Sequence, residues 1–318
     1  MSKKKPSRKP RKRIKQKPNA RPPLPDRRAT ERTMSGIGRL LSQREFQSPD
    51  EANAFLREML ASGALEAQPA RGPVEQAQDL MYDAWEATGR RRVELARRAL
   101  EVSPDCADAY VLLAEETARS LEEARELYER GVKAGERALG PRMFEEEVGS
   151  FWGLVETRPY MRARAGLAQS LWMLGERQQA VEHYTDMLRL NPGDNQGIRY
   201  LLAACLLEMG SDEALGKLLD QYEGDASAMW LYTRALWVFR RLGAGPEANA
   251  SLRTALEQNR FVPQYLLQMK KLPRHLPEYI GFGDEDEAVA YVAEAGAGWW
   301  KTSGAMEWLV TTLSSKSN

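Results

Sequence analysis

Between Pro159 and Gly243 the chain passes through Met173-Leu174-Gly175, then Glu208-Met209-Gly210, then Arg241-Leu242-Gly243. The three glycines lie 35 and 33 residues apart, near the ~34-residue period at which helical hairpins repeat. After each glycine comes a small residue and then a large one, in the triplets Gly175/Ala180/Tyr184, Gly210/Ala214/Leu218 and Gly243/Ala248/Leu252. A glycine can end the first helix of a hairpin, an alanine lets the second approach it closely, and the large residue fills the next gap.

The best of these segments, Arg164-x2-Leu167-Ala168-x2-Leu171-x3-Gly175-x4-Ala180-x3-Tyr184-x7-Pro192, resembles the tetratricopeptide repeat. The expected fold is all-α: a tetratricopeptide-like helical-hairpin solenoid of about five repeats, capped at both ends and preceded by a disordered basic N-terminal arm.

The chain has 318 residues, enough for one or two domains. Its net charge of +1 conceals an asymmetry: residues 1–32 carry 14 Lys/Arg against Asp26 and Glu31, a local +12, and the remainder carries −11. Residues 1–33 contain six prolines and only Ile14 and Leu24 as large aliphatics, too little apolar area to offset chain entropy. Lys3, Lys4, Lys5, Arg8, Lys9, Arg11, Lys12, Arg13, Lys15 and Lys17 offer electrostatic contact to a polyanion, such as nucleic acid or the ribosome. No aromatic residue lies among them, so base stacking is not available there. Cys106 and Cys205 fall in helical, alanine- and leucine-rich settings and read as buried free thiols of a reducing compartment. No apolar run approaches the length of a membrane span and no secretory leader is evident, so the expectation is a cytoplasmic protein.

Along the chain, Ser48-Pro49-Asp50-Glu51 announces a helix with Ser48 as cap, and residues 64–74 read as a linker. This helix would dock on the repeats as a cap, with a detached adaptor as the alternative; residues 34–73 are also a candidate for filling the chain's own groove. Hairpins then occupy 74–258, interrupted by an insertion at 135–158 in which Phe151 and Trp152 read as plugs, or alternatively as exposed anchors. Asp194 or Asn195 can cap the helix that follows Pro192. Residues 259–318 form a helical cap, with Asp284-x-x-Glu287 opening a helix.

The segments Asn259-x2-Val262-Pro263-x-Tyr265-Leu266-Leu267-x-Met269-Lys270-x-Leu272, Gly283-Asp284-x2-Glu287-Ala288-x-Ala290-Tyr291 and Trp300-x3-Gly304-Ala305-x3-Leu309 resemble the suppressor of tumorigenicity seven family. That resemblance implies an architecture and no catalytic residues. Lacking membrane segments, the chain reads as a soluble, bacterial relative.

No phosphate-binding loop, nucleophile elbow or HExxH pattern is present, and Gly281-Phe282-Gly283 is followed by acids, which suits a turn. Glu145-Glu146-Glu147 reads as a solvated face and His183 as a packing or surface histidine. With two histidines and no CxxC, neither metal nor cofactor is expected, and the chain is read as a non-enzyme. In the tetratricopeptide resemblance the first helix of each hairpin lines a concave groove. Its positions fall at Arg162, Ala165, Gln169, Trp172 and Met173, then Tyr200, Ala204 and Glu208, then Trp230, Thr233, Trp237, Arg240 and Arg241. Tryptophan and arginine there suit a protein or peptide partner. Ala165 and Gln169 stand where a carboxylate clamp would place Lys and Asn, which disfavours chaperone tails.

Overall fold

A computed structural model describes residues 27–62, 70–277 and 279–314. The basic residues named above between 3 and 17, and most of the linker after Ser62, lie outside the described residues. Every regular element among the described residues is helical. After α1 (Arg27–Leu41) and α2 (Pro49–Ala61) come antiparallel pairs: α3 (Pro73–Glu86) with α4 (Arg90–Val102), and α5 (Ala107–Thr117) with α6 (Leu121–Glu146). They continue as α7 (Arg158–Met173) with α8 (Arg177–Leu190), α9 (Ile198–Met209) with α10 (Asp212–Gln221), and α11 (Ala228–Leu242) with α12 (Pro246–Gln258). A short α13 (Val262–Leu266), then α14 (Glu285–Lys301) and α15 (Ala305–Ser314), complete the chain.

The punctuating glycines behave as their spacing requires. Gly175, Gly210 and Gly243 have φ of +84°, +72° and +73° just beyond α7, α9 and α11, a region that costs glycine little. Ala180 and Ala248 are fully buried at the crossings with their partner helices. The middle triplet is displaced. Ala214 faces solvent, and the close approach occurs at Gly216, where a Cβ would stand 2.6 Å from the Trp237 ring. A bulky indole lies there, so only glycine fits.

Other signals hold locally. Ser48 caps α2 by accepting from the Glu51 amide, and the Glu51 carboxylate reaches back past the cap to accept from Gln47 N–H, a variant of the capping box. Asp194, with φ +45°, accepts from the amides of Ile198 and Arg199 at the start of α9. Asp284 caps α14 by accepting from Glu287 N–H. Cys106 and Cys205 are free and buried.

The insertion is partly helix. α6 runs through residues 135–146 with a kink at Gly140 and Pro141, where Gly140 leaves helical dihedrals. Phe151 is fully buried against Phe144 and Tyr160, and its amide donates to Leu190 O, so it plugs the junction between α6, α7 and α8. Trp152 is half-buried, with Arg158 over its ring.

At the N-terminus the structure departs from the sequence reading. Residues 27–33, assigned above to a disordered arm, are the first turns of α1. Pairing of the buried Glu31 carboxylate with Arg162 offsets the ordering cost that composition alone could not. The docked segment is therefore α1, not the helix after Ser48: α2 buries no residue and leans on α1.

Candidate functional site

Helix α1 runs antiparallel to α3 across the side presented by the first helices of the hairpins. Its start meets the end of α3, with Arg28 over the Trp85 ring and Arg32 paired with Asp83 and Glu86. Its end meets the start of α3, where Arg39 pairs with Glu75 and donates two hydrogen bonds to Asp79.

Between these lies a buried charge cluster contributed by α1, α5 and α7. Arg162 donates through Nε and Nη2 to the two oxygens of Asp108, at 2.8 and 2.6 Å, and through Nη1 to both oxygens of Glu31, each at 2.9 Å. Gln78 from α3 donates to Asp108 as well, and Arg158 reaches Glu31 at 3.5 Å. Asp108 is 0% exposed and Glu31 3%, so neither carboxylate has water as an alternative partner. Burial pulls the Arg162 pKa down, and the carboxylates of Asp108 and Glu31 more than offset it, so the guanidinium is held charged above its ordinary value. Burial, with Asp108 adding to it, pushes the nearby Cys106 thiol up to about 12 and leaves it protonated and unreactive.

On the other half of the same side, α14 lies along α9 and α11. Glu287, 6% exposed, accepts from Ala228 N–H at the start of α11, from Asn259 Nδ2 and from Gly283 N–H. Further along, Gly298 abuts Leu207, Tyr291 accepts from Trp299 Nε1, and Lys301 pairs with Glu208. Small buried residues on α14 (Ala288, Ala295 and Gly298) let it sit close enough to bury the faces of α9 and α11.

The residues expected to line the concave groove are thus distributed. Arg162 is engaged by Asp108 and Glu31. Trp230 is 1% exposed and donates to Leu219 O, which makes it a core residue and corrects its assignment to a partner surface. Thr233 is fully buried, and Ala204 is buried within α9. Tyr200 packs edge-on against Trp230 and donates to Asp225. Trp237 turns toward α10, donating to Asp212 O, with Arg241 over its ring. Arg240 donates to Leu207 O and pairs with Asp212, while Glu208 is bridged by Arg177 and Lys301. Gln169 and Met173 are exposed, and Trp172 is half-buried beneath Arg177. His183 is a packing residue that accepts from Arg164 Nε.

Sequence reasoning missed Glu31 and Asp108. An acid at the end of a basic tract and an aspartate inside Ala107–Thr117 carry no motif. It also missed a row of exposed apolar side chains between α13 and α14: Met269, Leu272, Leu276, Tyr279, Ile280 and Phe282. Among the described residues there is no group of His, Cys, Asp and Glu suited to a metal ion, and no helix long and apolar enough to cross a membrane.

The ST7 protein family matches residues 70–317, a span that takes in α3 through α15. The chain belongs to that family. The ST7 match takes in every hairpin as well as residues 259–309, where the quoted segments carry the resemblance most strongly, with weaker similarity through the repeats upstream. Among curated relatives, Suppressor of tumorigenicity 7 protein-like of Rattus norvegicus is 30% identical over 256 residues, covering 73% of this chain and 46% of that protein. Its counterpart in Homo sapiens is 30% identical with 44% of its own length covered. Suppressor of tumorigenicity 7 protein of Macaca fascicularis is 30% identical over 283 residues, covering 74% of this chain and 52% of its own. The chain therefore spans about half the length of the curated relatives it matches. No solved structure matches it. Helices α1 and α2 precede the ST7 match, whereas α14 lies inside it.

Proposed function

We propose that this ST7-family chain is a non-catalytic, cytoplasmic protein–protein interaction scaffold. It takes a partner segment on the concave side of tetratricopeptide-like hairpins, and the basic residues ahead of α1 tether it to a polyanion. One observation carries this reading. The side formed by the first helices already holds a helix, α1, that lies outside the family match and is anchored through a carboxylate on Arg162. A surface that seats one amphipathic helix in this way has the geometry of helix-in-groove recognition. The rest of that side is closed by α14, so the partner site is restricted to α3, α5 and α7.

A second reading, an RNA- or ribosome-associated factor whose main ligand is nucleic acid, draws on the +12 charge of residues 1–32. The −11 charge of the remainder opposes it as an account of the hairpins, because a negative surface repels phosphate. Affinity capture with the full chain, with and without nuclease and followed by cross-linking, separates the two. The scaffold reading expects a protein that survives nuclease and cross-links to α3, α5 or α7. Loss of every recovered species on nuclease treatment supports the second reading instead.

A further inference from the structure

We propose that the site beneath α1 recognises a helix of a partner protein that presents a carboxylate at the place of Glu31, with α1 as its intramolecular occupant; this rests on the scaffold reading and specifies the partner's chemistry.

The hairpins build this site without help from α1. Asp108 takes Nε and Nη2 of Arg162, and Gln78 braces Asp108, so the guanidinium is fixed with Nη1 turned outward. Arg158, one turn earlier on α7, points to the same spot. Two arginines against one buried aspartate leave one positive charge under α1, and a carboxylate is the group that satisfies it. Trp85, with Arg162 over its ring, forms the apolar wall beside it.

The occupant's other features follow from α3. Asp83 and Glu86 take an arginine one residue after the acid, at Arg32, and Glu75 and Asp79 take one eight residues after it, at Arg39. Between them Gly36 is buried, and Leu40, 1% exposed, closes the contact. The recognised pattern is therefore an acid, a small residue five on, an arginine eight on and an aliphatic nine on.

Two observations make α1 a displaceable occupant. First, it is joined to α3 through α2, which buries nothing, and it lies outside the ST7 match; its Arg32 pairs are solvent-exposed and hold it weakly. Second, α1 does not fill the face. A cavity of about 700 Å³ runs beside it, walled by Ile37, Leu41, Tyr82, Leu139, Val155 and Tyr160. A helix with larger apolar side chains toward that wall would bury area that α1 leaves open.

The test uses the full chain carrying a protease site within residues 63–69, cut after folding, and a fluorescent peptide of residues 27–42 as probe. The cut chain is expected to bind the peptide in exchange for its own α1, and the Glu31→Gln peptide should bind at least about tenfold more weakly, as loss of a charge-assisted pair implies. Equal affinity of the two peptides, or no binding to cut chain that keeps its helical circular dichroism, overturns the proposal. Should the cut chain unfold, the intact Glu31→Gln protein serves: it is expected to bind the wild-type peptide more tightly than the intact wild type does, and equal binding overturns the proposal. Reciprocal exchange of α1 between copies, seen as a dimer on sedimentation, would also overturn it by assigning the face to a second copy. If a nuclease-resistant partner cross-links to α3, α5 or α7 while the peptide fails, the acidic-helix assignment falls and the scaffold reading stands.

Discussion

Leu207 Cδ2 stands 2.5 Å from where a Cβ on Gly298 would be, so α9 and α14 meet at a position that admits no side chain. Any substitution there forces the buried Leu207 side chain, or one of the two helices, to shift. Gly298→Ala is expected to lower stability by roughly 1–3 kcal/mol through overpacking, despite alanine's better helix propensity. Urea denaturation reads this directly; an unchanged or raised midpoint would show that the helices are not in this contact.

Glu287 is the second fastening of α14. Its two oxygens accept three N–H groups, from Ala228, Asn259 and Gly283. A glutamine has the same shape but turns an NH2 toward at least one of those donors. Glu287→Gln is therefore expected to cost roughly 2–3 kcal/mol, the penalty for a buried polar group left unmatched. Rapid amide exchange at the start of α11 in the variant, with α3–α6 unaffected, is the accompanying signature. Uniform exchange behaviour in variant and wild type would count against the assignment.

Asp225 supplies a pH test. It accepts from Arg199 Nε, Tyr200 O–H and Ser227 N–H. Burial pushes its carboxyl up, but these donors outweigh burial and hold it below its ordinary value. A carboxyl depressed in the folded state stabilises the fold above its unfolded pKa of about 3.9, and that contribution is lost as pH falls through the lower folded value. Asp225→Asn should then be less stable than wild type by roughly 1–3 kcal/mol at neutral pH. The gap should narrow as pH falls below about 4. Paired denaturation curves at neutral and acid pH decide it, and a gap independent of pH would contradict the assigned role.

Two tryptophans placed in one groove by sequence reasoning should behave very differently. Trp230 is fully buried between Tyr200 and Tyr222, and Trp230→Ala is expected to cost about 3–5 kcal/mol. Trp172 is half-buried under Arg177, and its replacement should cost about 1 kcal/mol or less. Thermal melts of the two variants settle the contrast, and similar losses would place Trp172 in the core.

Phe151 tests whether the interruption of the repeat is structural. It is fully buried among Phe144 and Tyr160, so Phe151→Ala should destabilise by about 3–5 kcal/mol. A near-neutral effect would show that the 147–154 segment is not packed into the junction.

The hairpins were legible because their signals are local. Gly175, Gly210 and Gly243 report a backbone conformation, and Ser48, Asp194 and Asp284 report caps, each decided within a few residues of itself. The register of the middle hairpin was misread because Gly216 and Ala214 are both small, and only the position of the Trp237 ring tells which one the neighbour needs. The site was less legible still. Arg162 could be named from its helix position, but its partners Glu31 and Asp108 are 131 and 54 residues away in sequence, and nothing local ties them to it. The same holds for α14: its pattern announces a helix, whereas its seat along α9 and α11 depends on Gly298 and Glu287 meeting residues from two other hairpins.

That seat also bears on the order of synthesis. Helices α9 and α11 are complete by Leu242, yet the strip of Leu207, Tyr232 and Thr233 they share is covered only when residues 285–301 arrive. During translation the half-built chain therefore displays an apolar trough that its last helices must close. A message truncated before α14 yields hairpins with nothing to seal them, a species prone to aggregation and to capture by chaperones.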